Sequence, residues 1–149
     1  MSASNAFENQ LLLLIFNNTN AANVGDATGL RGSTTAGSLF IALHTADPGE
    51  AGDQTTSEAT YTGYARVAVA RSGAGFTVSG TAPTQAANAA AVTFGACTAG
   101  SSTCTYFSVG VATSGASMII ASGVLTAQLA VTAGITPSFA IGALVVTLD

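Results

Sequence analysis

The residues able to do chemistry are few, and most crowd into one stretch, Ser38–Arg71. It holds the single histidine, His44, four of the seven carboxylates (Asp47, Glu50, Asp53 and Glu58) and two of the three arginines, Arg66 and Arg71. A histidine with an aspartate three residues on suggests the base and orienting acid of a nucleophilic triad, with His44 taking the proton of a serine hydroxyl. No nucleophile elbow surrounds any serine, so His44 and Asp47 are expected to be structural. They brace the turn His44-Thr-Ala-Asp-Pro-Gly49, in which Pro48 fixes φ and Gly49 admits a positive φ. The four carboxylates invite comparison with calcium loops, but the Asp-x-Asp-x-Asp-Gly order is absent. A solvated acidic loop, or one facing arginines of a partner subunit, is expected instead. Cys97 and Cys104 flank the turn-rich Thr98–Thr103. They form a disulfide if the strands on either side pair as a hairpin, and otherwise serve as two small buried apolar residues. Two thiols and a distant histidine are too few for a zinc site. Tyr61, Tyr64 and Tyr106 are the aromatic candidates for stacking on a sugar, but nothing in the sequence gathers them. The expectation is no catalytic residue, no metal and no cofactor.

The composition agrees with a protein that acts by contact. The chain has 149 residues, the size of one domain, with 48 % apolar and only 7 % charged residues, against roughly 25 % charged in an average soluble domain. Lys and Trp are absent. A surface with so few charges is expected to be covered by partners or by copies of the same chain. The net charge is −4, and three arginines neither neutralise a run of phosphates nor form a basic stripe for an anionic bilayer. Nucleic-acid and membrane partners are therefore not expected. The apolar run within Gln10–Phe16 follows Glu8 and no basic residue, and it is too short for a signal peptide or a membrane span.

These residues must be positioned by the following elements. Asn5 and Glu8 read as the N-cap and third residue of a helix running to about Asn17, although a buried strand is an alternative for its apolar part. Phe7 and Leu11–Phe16 leave the second half without a polar face, so the helix should be buried all round, in the chain or between subunits. Phe7, Leu11, Leu14, Ile15 and Phe16, with Arg31 and Arg66, are accordingly the candidate subunit-interface residues. The loop Asn17–Gly37, with Asp26 and Arg31, is long and is expected to be ordered by a neighbour. Strands are expected at Leu39–Leu43, Tyr64–Arg71, Phe76–Val78, Ala91–Ala96, Cys104–Ala112, Met118–Ser122, Val124–Val131 and within Phe139–Leu148, with turn signals every 8–12 residues. The fold class is all-β: an antiparallel β-sandwich of jelly-roll type, about eight strands, with a short N-terminal helix or arm. Residues 1–37 form the helix and arm, and residues 38–149 the sandwich.

The motif Leu43-His-Thr-Ala-Asp-Pro-Gly49 followed by Tyr61-Thr-Gly-Tyr-Ala-Arg66 resembles a family of small structural proteins of tailed bacteriophages, loosely labelled tail or decoration proteins. The Thr105-Tyr-Phe-Ser-Val-Gly110 strand, Ala112-Thr-Ser-Gly115 and Gly123-Val-Leu-Thr126 look similar as well. The resemblance implies a virion protein assembled in the host cytoplasm and brings no catalytic residues with it. The leading expectation is a capsid decoration, or cement, protein: a homo-oligomer bound to the major capsid protein or other virion proteins. A tail, collar or tail-tip component comes second and a receptor- or glycan-binding module third. A hydrolase, needing His44 beside a serine in a cleft, is last.

Overall fold

A computed structural model describes residues 3–22, 24–25, 29–80 and 84–148. Asp26 lies outside the described residues. The chain is mostly β, with one N-terminal helix and, among the described residues, nine strands in antiparallel sheets. It divides into two compact units and passes between them near residues 38, 68, 91 and 138.

The first unit holds the helix α1 (Asn5–Asn17) and the three-stranded sheet β3-β4-β9, formed by Phe76–Gly80, Thr84–Asn88 and Val145–Leu148. Ser4, one residue before the expected cap, accepts from the Phe7 N–H at 3.4 Å. Asn18 ends the helix in the left-handed region at φ 57°, a conformation asparagine tolerates better than most residues. Within the chain the helix is not buried all round. Glu8, Leu12 and Phe16, spaced by four, form its covered face, while Leu11, Leu14 and Ile15 are half-buried and Phe7 is exposed. A helix can hide only the stripe that meets its sheet, and α1 packs on β3 and β4. Phe16 meets Phe76 edge to face, with ring centroids 4.9 Å apart.

Arg71 closes the C-terminal end of this helix from 56 residues away. Its Nε donates to Ile15 O at 2.7 Å and its Nη2 to Leu14 O at 2.9 Å, while Nη1 reaches Ala36 O and Ser33 Oγ. The last helical carbonyls have no partner within the helix and carry its negative dipole end, and α1 has no basic residue of its own there. The same guanidinium pins the loop that follows. Asn18 clasps Ser33 through both side-chain atoms, and Asn20 Oδ1 accepts from Gly32 N. The described part of this long loop is thus tied down by bonds from its own chain. Arg71→Ala should lower the unfolding free energy by about 2 kcal/mol, with Arg71→Lys restoring only part because an ammonium lacks the planar fork; urea denaturation measures both. Elsewhere in this unit, buried Asn88 fixes the segment 140–144, accepting from Leu144 N and donating to Ala90 O and Ala140 O.

In the four-stranded sheet β2-β1-β6-β7, β1 is Ser38–His44, β2 Val67–Ala70, β6 Ser102–Gly110 and β7 Ile119–Val131; the second unit holds β6, β7 and all of β1 but Ser38, and the chain leaves it within β2. The expected strand Tyr64–Arg71 is formed only in its last part. Gly123, which reads as a break between two strands, lies instead inside the 13-residue β7, opposite Phe107, where a Cβ would come within 2.9 Å of the ring. The missing side chain lets the aromatic ring lie across the neighbouring strand. Cys97 and Cys104 are both buried free thiols. The hairpin that would bridge them is absent from the described residues: β6 pairs with β1 and β7, while β5 (Val92–Thr93) pairs with β8 (Ser138–Phe139). Cys97 N accordingly donates to Ile135 O. Burial pushes the Cys104 thiol up to about 11, which keeps it protonated and unreactive.

Candidate functional site

The motif stretch is a lock that clamps the polar loop 50–62 onto the sheet of the second unit. Past β1, Thr45 N donates to Ser57 O and Ala59 N to Leu43 O, so this loop runs as an extra short rung beside the strand. His44 is fully buried. Its Nδ1 lies 2.8 Å from Thr56 O and its Nε2 2.8 Å from Ser108 Oγ. A carbonyl only accepts, so Nδ1 carries the proton and Nε2 accepts from the Ser108 hydroxyl. The histidine and serine of a triad are therefore side by side, but both are fully buried, and a backbone carbonyl stands where the acid would be. Asp47 turns away and accepts from Gly49 N at 2.9 Å; Gly49 has φ 69° and Pro48 is buried.

Arg66 is the centre of the lock. Its Nε and Nη2 bind the two oxygens of Glu58 at 2.7 and 2.9 Å. Nη1 reaches Gln54 Oε1, Ala112 O and Ser117 Oγ, and Nη2 also donates to Gly115 O. All five guanidinium hydrogens have acceptors within the chain. Hydrogen bonding to Glu58 raises the already high pKa of the guanidinium. Tyr64 Oη donates to Glu58 and accepts from Leu43 N. Gln54, fully buried, donates to Phe40 O. It occupies the space over Gly110, where a Cβ would lie 2.0 Å from its Cδ. Gln54, Ser108, Gly110 and Ser117 escape sequence reading, because nothing in their spacing marks them as partners of His44 and Arg66, and Glu58, read as part of a solvated acidic loop or as facing a partner's arginine, pairs with Arg66 of its own chain.

The residues expected at a subunit interface fall into different places. Arg66 and Phe16 are internal, Phe7 and Arg31 are exposed, and Leu11, Leu14 and Ile15 are half-buried. Tyr61 and Tyr64 do come together, with centroids 5.5 Å apart, and Tyr64 stacks near Phe94. Tyr61 and Phe94 are buried, so this cluster is core and not a sugar platform. Burial pushes the Tyr61 hydroxyl up to about 12. The four loop carboxylates diverge: Glu58 faces Arg66, while Asp53 accepts from Thr55, which holds its carboxyl below the usual range. Among the described residues no three His, Cys, Asp or Glu side chains gather as for a metal ion, and no buried side-chain nitrogen or oxygen lacks a partner. No helix among them is long and apolar enough to cross a membrane.

His44 gives a pH test of the lock. Burial, outweighing the Thr56 carbonyl and Glu58, pulls its pKa below the ordinary 6.5. The unfolded chain therefore takes up a proton that the folded chain refuses. Stability should be full above about pH 6.5 and fall as the pH drops toward the depressed folded value, by at most about 1.4 kcal/mol per pH unit. Urea midpoints between about pH 7.5 and 5 measure this slope, which His44→Gln should flatten. Asp53, with its lowered pKa, acts only in a more acidic window.

What stays open to solvent is a groove of about 380 Å³ between the loop residues Asp47, Gly49, Glu50 and Gly52 and the start of β7 at Ile119–Ser122. Successive residues of a strand point to opposite faces. A groove touching four in a row therefore meets β7 at its edge, and β7 is the last strand of its sheet.

Chemistry-bearing side chains that brace the fold from within, with an uncharged strand edge left outside, define the class of β-rich structural proteins that act by contact. The chain belongs to the family described as Podophage GP4 fiber I protein gp80, whose model matches residues 2–147. It is a non-enzymatic structural protein of the phage virion, of the fibre kind. This description favours the tail reading over the capsid-shell reading that leads from sequence. No curated protein matches the chain.

Proposed function

We propose that this chain is a structural module of a podophage tail fibre, holding its place through contacts with copies of itself and with neighbouring tail proteins. The observation that carries this reading is the family match over residues 2–147. The low charge supports it, because a chain with 7 % charged residues has much surface suited to being covered. The test is to label purified virions with antibody against the folded chain and image them. Label along the tail appendages supports the proposal. Label spread over the head shell overturns it and restores the decoration reading, with the major capsid protein as partner.

A further inference from the structure

We infer that the groove between Asp47–Gly52 and the β7 edge receives Leu30 and Arg31 of a second copy of this chain. The chain has three cationic side chains in all. Arg66 is enclosed by Glu58, Gln54, Ser117 and two backbone carbonyls, and Arg71 is held by the end of α1. Arg31 is exposed and pairs with no carboxylate among the described residues, where Arg66–Glu58 is the only ion pair. Its neighbour Leu30 is also exposed, at 43 %, although its backbone is anchored to Ala21 by two 2.9 Å hydrogen bonds. An exposed apolar side chain and an exposed guanidinium are therefore consecutive on an anchored stretch of backbone. The groove offers the counterpart, with Asp47 and Glu50 on one wall and Ile119 and Ile120 on the other. Glu50 is exposed and has no hydrogen bond or ion pair among the described residues, and Asp47 has a second carboxylate oxygen free beyond its bond to Gly49.

A projection on one copy and a groove on the next associate either reciprocally, as a closed dimer, or head to tail, into rings or filaments. The inference rests on the self-contacting module proposed above and names the contact it would use.

Charge exchange tests it on the full chain by sedimentation velocity at low salt. Arg31→Glu is one variant. The other combines Glu50→Arg with Asp47→Asn, which keeps the acceptor for Gly49. Circular dichroism checks that both retain the fold. The wild type should form species larger than the monomer that dissociate as salt rises. Each variant alone should associate at least about tenfold more weakly. An equimolar mixture should restore association, because the carboxylate introduced by Arg31→Glu then faces the guanidinium introduced by Glu50→Arg, and the native pair forms at alternate contacts. A wild type that stays monomeric at millimolar concentration overturns the inference, as does a variant that associates like the wild type or a mixture that fails to recover. Virion labelling reads location and this experiment reads the contact, so either can fail alone.

Discussion

Arg66→Met is expected to lower the unfolding free energy by about 3–5 kcal/mol, the range for removing one partner of a buried ion pair. The guanidinium side chain is 2 % exposed and that of Glu58 18 % exposed. Methionine fills most of the volume but donates nothing. Glu58 keeps only the Tyr64 hydroxyl, and the carbonyls of Ala112 and Gly115 lose the donor that held this turn against the loop. Part of the loss should return in Arg66→Met/Glu58→Leu, where no uncompensated carboxylate remains; a double-mutant cycle in urea isolates the pair. A loss below about 1 kcal/mol for Arg66→Met would show that the loop holds without its lock.

Phe16→Ala should cost a similar amount, about 3–5 kcal/mol, as a large aromatic removed from a packed interior. The ring is 1 % exposed and its edge-to-face partner Phe76 is fully buried, so the cavity has little chance to collapse. Phe7→Ala on the same helix, at 44 % exposure, should stay within about 0.5 kcal/mol in the isolated chain. The contrast separates the helix face that belongs to the fold from the one open to neighbours. If Phe16 acted between subunits instead, the effect of its removal would vary with protein concentration.

The strands are legible in the sequence where an apolar run or an alternating pattern is bounded by marked turns, as at Ser38–His44 and Ser102–Gly110. Thr84–Asn88 is not, because Thr-Gln-Ala-Ala-Asn has neither β-branched nor aromatic character beyond Thr84; it is a strand because β3 and β9 pair with both its edges. Gly123 misleads for a related reason. A glycine in a strand pattern reads as a break, and only the ring of Phe107 across the sheet shows why it is there. The motif around His44 is visible as a turn, and Asp47 and Gly49 are in one. That His44, Tyr64 and Arg66 converge on one loop is not visible, since their partners Gln54, Glu58, Ser108 and Ser117 are ordinary residues whose role comes from tertiary pairing alone. Arg71 illustrates the same limit: it caps a helix that ends more than fifty residues earlier.

The way the fold engages its arginines also sets how the protein meets proteases. Trypsin cleaves after lysine or arginine, and this chain offers three such bonds in its whole length. Two of them follow Arg66 and Arg71, whose guanidinium groups are held inside the chain, so cleavage there waits on local or global opening. Only the bond between Arg31 and Gly32 follows an exposed arginine. A virion protein of this kind thus hides most of its tryptic sites by the same contacts that hold it together, and the appearance of fragments cut at Arg66 or Arg71 is a direct clock for its unfolding.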